Sequence, residues 1–103
     1  MFIAKVKGNV VTTQKVQAMT GRKLLIIEPV RVQEDSDELK PTGLCLVTVD
    51  SLGAGTDDLV LVTQGSSARL TDTTGDAPVD CVVIGIVDKV NTLGHQVYAK
   101  DEN

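Results

Sequence analysis

Three stretches of the chain are apolar at odd and even positions alike, namely Leu24–Ile27, Leu44–Val49 and Val82–Val87. A strand with one face in water alternates apolar and polar residues, so these runs predict strands that need cover on both faces. Helices usually cover an outer face, and the sequence has almost no helical pattern. We therefore predict that a neighbouring copy supplies the cover and that the protein is an obligate homo-oligomer.

The apolar residues are of the kinds that favour strands. Phe2 and Tyr98 are the only aromatic residues among 103, and tryptophan is absent, so the core has to be built from Val, Leu and Ile. These side chains, together with the abundant Thr, suit a pleated surface. The length corresponds to one domain with a modest core. The composition predicts a single all-β domain over residues 1–103.

The alternation over Phe2–Val10 predicts a first strand with one buried face. Further strands are predicted at Lys23–Val32, Leu44–Val49, Leu59–Thr63, Val79–Val90 and Gln96–Lys100. Pro29 indicates an edge or bulge in the second strand. An acidic loop at about 33–42 and a tail at 101–103 are expected to be solvated. We predict a small closed barrel of five to six strands, similar to an oligonucleotide-binding (OB) fold, with one short helix from Ser67 to about Thr73.

The segment Asp50–Arg69 contains two glycine turns around one apolar strand. Gly53-Ala54-Gly55 supplies positions that tolerate a positive φ angle, and Gly65-Ser66-Ser67 offers a turn followed by a helix-capping hydroxyl. These residues include no obvious nucleophile, and they do not form a set of metal ligands or proton donors. The segment is therefore expected to hold a shape, which favours a role in assembly over catalysis.

Charge and hydropathy exclude several classes of function. The net charge of −4 argues against nucleic-acid binding, which needs a basic surface. The start of the chain is interrupted by Lys5 and Lys7, unlike a signal peptide, and no run is long enough to span a membrane.

The residues that could carry chemistry do not form a recognisable set. His95 is the only histidine and has no partner at ligand spacing, so no metal site is expected. Asp80 and Asp88 bracket a strand, where a structural role is expected. Cys45 and Cys81 lie in apolar runs and are expected to be reduced and buried. The sequence therefore predicts neither an enzyme nor a cofactor site.

Four blocks of sequence, taken together and in this order, resemble one known family. They are Ala4–Lys15, Gly21–Ile27, Gly53–Arg69 and Pro78–Asp88. The family is EutN/CcmL, the vertex proteins of bacterial microcompartments such as carboxysomes and metabolosomes. The resemblance implies a homopentamer with a narrow axial opening at the fivefold corners of a polyhedral shell. It also implies hexameric shell proteins as partners and a location in the bacterial cytoplasm.

Several residues are candidates for positions in such a ring. Gly65, Ser66 and Ser67 either approach the axial opening or form only a turn and helix cap. Gly53, Ala54 and Gly55 are candidates for a structural turn at a subunit interface. Asp58 and Arg69 form either an ion pair that fixes the ring or two solvated charges.

The pair Asp57-Asp58 departs from the family pattern, in which a glycine or aspartate is generally followed by a glutamate. Asp57 tolerates a left-handed backbone better than most residues other than glycine, whereas Asp58 is one methylene shorter than glutamate. The shorter side chain puts any hydrogen bond that depends on reach in question.

The alternative hypothesis is a freestanding small-barrel module that binds an anionic ligand or a nucleic acid. It predicts a monomer and a salt-sensitive complex with an anionic polymer. The two aromatic residues lie at opposite ends of the sequence, which does not favour a stacking platform for single strands.

Overall fold

The computed structural model describes residues 1–13, 17–19, 21–33, 38–65 and 80–100. The strands in these residues are β1 Phe2–Val10, β2 Lys23–Arg31, β3 Lys40–Pro41, β4 Leu46–Asp50, β5 Leu59–Gln64, β6 Cys81–Ile86, β7 Lys89–Thr92 and β8 His95–Ala99. One turn of 3-10 helix, Gln17–Met19, lies between β1 and β2. The helix predicted from Ser67 to about Thr73 falls outside the described residues.

Five strands close into a barrel. They follow the order β1, β5, β6, β4, β2, and β1 pairs with β2 to complete the circle. Neighbouring strands are antiparallel except β4 and β6, which are parallel and joined at the residue pair Val49–Val82. Strand β3 pairs with the end of β2, and β7 pairs with β8 in a separate hairpin. The prediction of an all-β closed barrel is confirmed.

The inward-facing apolar side chains of the barrel form one core. Its buried members are Ala4, Val6, Leu25, Ile27, Ala54, Val60, Val62, Cys81 and Val83, with Phe2 and Ile86 packed against them. In β1, β2 and β5 these residues alternate with outward-facing ones, as a period of two requires. Each fully buried Val or Ile stabilises the fold by roughly 1.5–3 kcal/mol, so the core compensates for its lack of large aromatic residues by number.

The C-terminal part differs from the prediction of one long strand over Val79–Val90. Strand β6 ends at Ile86, and the Val87 N–H still donates to the Leu59 carbonyl at 2.9 Å, one position beyond the Val60–Ile86 pair. The Asp88 carbonyl then accepts from the Lys100 N–H at 2.8 Å at the base of the β7–β8 hairpin. The last strand therefore closes a hairpin and not the barrel, which is closed by β1 and β2.

Smaller differences concern the limits of elements. Strand β4 begins at Leu46, two residues later than predicted, and Lys40–Pro41 forms a short strand within the expected acidic loop. Pro29 lies between the part of β2 that pairs with β4 and the part that pairs with β3, in agreement with the predicted irregularity.

The loop between β4 and β5 is held by a buried carboxylate. Asp50 is 2% exposed, and its two oxygens accept from the Leu52 N–H and the Ala54 N–H, both at 2.8 Å. Lys23 Nζ donates to the Ala54 carbonyl at 2.9 Å. These bonds place the methyl group of Ala54 in the barrel core, where it is fully buried. Asp50 therefore ties the loop to the core.

We predict that Asp50→Ala destabilises the fold by about 2 kcal/mol or more, because it leaves buried backbone N–H groups without an acceptor. Urea unfolding at a fixed protein concentration measures the change. Asp57→Gly is the matched control, since the Asp57 side chain is 80% exposed and its change is expected to stay within about 0.5 kcal/mol. Equal stability of Asp50→Ala and wild type would contradict the role given to Asp50.

The two cysteines lie in different environments. Both are free thiols; Cys81 is buried as predicted, whereas Cys45 is exposed because it precedes β4. Burial raises the pKa of the Cys81 thiol and is the largest effect. Contact with the Thr48 hydroxyl lowers this pKa, and the negative charge of the Asp80 carboxylate raises it further. The buried Thr48 hydroxyl forms no hydrogen bond of ordinary geometry within the described residues.

We predict that Cys81 resists alkylation in the folded protein. A raised pKa leaves less thiolate at any given pH, and burial excludes the reagent. In a Cys45→Ser variant at pH 8, iodoacetamide should label Cys81 only when denaturant is added. Labelling of the folded variant at the rate of a free thiol would show that Cys81 is accessible.

Candidate functional site

The start of β4 carries apolar side chains that the chain itself leaves in water. Leu44 is 70% exposed, Leu46 41% and Val47 53%. Val47 pairs with Ile26 on the outer surface of the barrel, whereas Leu46 lies opposite the buried Ile27 at the rim of the interior. Leu44, Leu46 and Val47 together form the β4 patch.

The neighbouring part of the outer surface is covered from within the chain. Val49 and Val82 are buried in a second small cluster, and Leu24 and Met19 pack against them. The 3-10 turn that carries Met19 therefore supplies outer cover that the sequence analysis did not anticipate. The expectation that the outer face lacks cover from its own chain is wrong here, whereas on the same face Val47 is 53% exposed and Ile84 38%, as expected.

A cavity of about 270 Å³ opens beside the β4 patch. It is lined by Leu46, Val47, Gln64, Gly65, Asp80 and Cys81. Among the described residues, β4 and β6 pair only at Val49–Val82, and the cavity lies towards the start of both strands. It therefore adjoins the exposed apolar side chains of β4 at a junction that a single residue pair joins.

Gly65 lies at the edge of this cavity and ends the described part of the second glycine turn. Its φ angle is +71°, and its N–H donates to the Asp80 carbonyl at 2.7 Å. Ser66, Ser67 and Arg69 fall outside the described residues. The structure therefore places one of the three candidate axial residues.

The first glycine turn has the backbone expected from its sequence. Gly53 has a φ angle of +85°, and Asp57 has one of +74°, in agreement with the left-handed tolerance expected of Asp57. Asp58 reaches back to accept from the Gly55 N–H at 2.9 Å. The shorter carboxylate thus still makes a hydrogen bond within the turn.

The turn is also fixed to the first strand and to the C-terminal hairpin. The Asp57 N–H donates to the Val6 carbonyl and the Val6 N–H to the Asp58 carbonyl, both at 2.9 Å. Asp58 Oδ1 lies 3.9 Å from Lys100 Nζ. Lys100 is therefore the cationic partner that the structure places beside Asp58, while the proposed partner Arg69 is not among the described residues.

A second cavity, of about 320 Å³, lies where the hairpin meets the barrel. Val97 and Tyr98 of β8 line it together with Leu59 of β5. Its charged residues include Lys5, which lies 3.6 Å from the Asp57 carboxylate. Because this ammonium is paired, the cavity does not present an unopposed positive charge to an anionic ligand.

The described residues contain no group of three or more His, Cys, Asp or Glu side chains placed to hold a metal ion. Among the same residues, no helix has the length and apolar character needed to cross a membrane. The features that the structure does assemble are an apolar patch, an adjoining cavity and a rigid loop, all of which suit contact with another protein surface.

Sequence analysis did not single out Asp50 or the individual residues of the β4 patch. The signal for the patch was present in the two-sided apolar run over Leu44–Val49, but the run does not show which members the chain covers itself. Asp50 was the first residue of the highlighted segment, and its burial depends on loop hydrogen bonds that have no periodic pattern.

Comparison with known proteins agrees with this description. The family model described as ethanolamine utilisation protein EutN/carboxysome matches residues 1–88. The bacterial microcompartment shell vertex protein EutN of Salmonella typhimurium is 42% identical over 100 residues, which are 97% of this chain and 96% of that protein.

Solved structures show the same fold. The structure of CcmL from Gloeobacter violaceus superposes with a TM-score of 0.87 at 37% identity, covering 99% of this chain and 100% of that one. The pentameric microcompartment shell protein GrpN from Rhodospirillum rubrum has a TM-score of 0.76 at 39% identity, covering 90% and 100%. These matches span the barrel and its loops, and the chain belongs to the EutN/CcmL family.

Proposed function

We propose that this chain is a structural shell protein, and that five copies form a ring that caps the fivefold corners of a bacterial microcompartment shell. Membership of the EutN/CcmL family supports the proposal, as do the pentameric state of GrpN and the vertex role in the name of EutN. The location that follows is the shell of the compartment.

The observation that carries the proposal is the exposed β4 patch beside its cavity. Three neighbouring apolar side chains in water are unfavourable, and burying them against another copy removes that cost. In a ring closed by rotation, each copy contacts the next through two different surfaces. One surface of each contact is proposed to include the β4 patch.

The shape of such a ring explains what it does in a shell. Hexagonal tiles alone form a flat sheet, and pentagonal units introduce the curvature that closes it. We propose hexameric shell proteins of the same compartment as the partners of the ring. The function requires a rigid outline and no chemical step, which agrees with the structural role in the names of the relatives.

The small residues of the second glycine turn are proposed to face the axis. Gly65 has no heavy atom within 4 Å of the position that a Cβ would take, which leaves space for a close approach by another backbone. Ser66 and Ser67 follow it directly. The turn Gly53-Ala54-Gly55, together with Asp58 and Arg69, is proposed to hold the edge of the subunit in shape.

A freestanding binding module is not favoured. Phe2 packs against the interior core, whereas Tyr98 lines the cavity outside the barrel, so the two aromatic rings do not share one stacking surface. Lys5, which lines that cavity, is paired with Asp57.

We predict that Val47→Asp disrupts the ring while the barrel stays folded. The side chain is half exposed in one chain, so the charge is tolerated there, but burial in an apolar contact costs about 2 kcal/mol or more. Native mass spectrometry at micromolar concentration should show a pentamer for wild type and smaller species for the variant, with unchanged circular dichroism.

Val11→Asp is the matched control, because Val11 is apolar and 85% exposed but lies beyond the end of β1. It should remain pentameric. A pentameric Val47→Asp variant would exclude the β4 patch from the subunit contact, and a wild-type protein of any other stable stoichiometry would count against the vertex function.

We also predict that cells lacking this protein form elongated or open shells whose contents leak. Electron microscopy of purified compartments and release of an encapsulated enzyme measure the defect. Wild-type protein supplied from a plasmid should restore closure, and the Val47→Asp variant should not. Closed and tight shells in the deletion strain would overturn the proposed function.

A further inference from the structure

The C-terminal hairpin is attached at its base and exposed at its tip. At the base, the Val87 N–H donates to the Leu59 carbonyl at 2.9 Å, and the Lys100 N–H donates to the Asp88 carbonyl at 2.8 Å. The Lys100 side chain adds an ion pair, with Nζ 3.9 Å from Asp58 Oδ1. At the tip, Leu93, Gly94 and His95 are all exposed. Strands β7 and β8 pair only with each other among the described strands. The barrel closes without the hairpin, so its tip has no evident role in the fold.

The tip of the hairpin places a leucine, Leu93, in a backbone conformation that leucine rarely adopts. Thr92 pairs with His95, which leaves Leu93 and Gly94 as a two-residue turn with φ angles of +49° and +82°. A turn with both φ angles positive favours Asn-Gly, whereas a bulky apolar residue is uncommon in the left-handed region. Leu93 is also 69% exposed, so burial within its own chain does not offset the strain. Strain that the fold does not require indicates a functional use of the side chain.

We propose that Leu93 of one copy packs on the β4 patch of the next copy in the ring, with its side chain at the adjoining cavity. This inference rests on the proposed pentamer and names the surfaces that meet in it. A ring contact joins two unlike surfaces, and the chain has an apolar projection on the hairpin and an apolar patch with a cavity on the barrel.

The surroundings of the two surfaces are complementary in polarity. The cavity is lined by the apolar Leu46 and Val47 and also by the polar Gln64 and the exposed Asp80. His95 lies two residues after Leu93 in the exposed tip, and an imidazole N–H is a donor that suits a carboxylate such as that of Asp80. A volume of about 270 Å³ is sufficient for a leucine side chain. The second copy of this chain is therefore the occupant that the site fits.

The variant Leu93→Asn distinguishes a leucine that docks on the next copy from one that only forms the turn. Asparagine suits the left-handed backbone, so a residue with only a turn role would leave the ring unchanged or more stable. Docking instead predicts that the protein concentration at half dissociation rises by about tenfold to a hundredfold, because buried apolar surface is lost. Leu93→Met, which keeps an apolar side chain, should retain the ring. Sedimentation across a dilution series measures all three proteins.

Val11→Asn is the control for placing an asparagine on an exposed apolar site, and it should dissociate as wild type does. A ring of Leu93→Asn as stable as wild type would overturn the docking proposal while leaving the pentamer intact. A wild-type protein that is not pentameric would instead overturn the proposed function itself.

A cross-link tests which surface receives the tip. Cys45 is an exposed free thiol between two residues of the β4 patch. A Leu93→Cys variant treated with a short bismaleimide should give covalent oligomers up to the pentamer on a denaturing gel, and adding Cys45→Ser should abolish them. Failure of Leu93→Cys to cross-link through Cys45 would exclude the β4 patch as the docking surface.

Discussion

The whole architecture depends on the way in which β4 and β6 meet. Every other junction of the barrel is an antiparallel ladder of several residue pairs, whereas these two strands are parallel and joined at Val49–Val82. Met19 and Leu24 pack on Val49 and Val82. Towards the start of both strands, Leu46 and Val47 border a cavity. In the proposed ring, this junction is a position in the described part of the barrel at which another copy can add cover.

The loop from Asp50 to Asp58 gives this barrel its rigidity near the junction. It leaves the end of β4, is held by the buried Asp50 carboxylate, and returns to β1 through paired hydrogen bonds with Val6. Its network of hydrogen bonds keeps β4 in a fixed position relative to β1 and β5, which is what a subunit of a closed ring requires.

Much of the barrel could be predicted because its signals are local. The alternation in β1 and the left-handed backbone at Asp57 follow from side-chain period and from the tolerance of aspartate. The break after Ile86 could not, because the apolar run continues through Val87 and no local pattern marks the start of the separate β7–β8 hairpin at Lys89. Likewise, the cover that Met19 gives and the exposure of the β4 patch depend on which segments meet in space. The positive φ angle at Leu93 runs against the backbone preference of leucine, so no sequence pattern could predict it.

In the proposed ring, the number of copies depends on the angle between the hairpin tip and the β4 patch of the same chain. A rigid unit that presents two surfaces at a fixed angle closes after a fixed number of rotations. The contacts that bear on this angle lie at the base of the hairpin, where the Val87 N–H donates to the Leu59 carbonyl and Lys100 Nζ lies 3.9 Å from Asp58 Oδ1. Asp58 in turn belongs to the loop that fixes β4. The same loop therefore lies beside both surfaces of the proposed contact and helps to fix the angle between them.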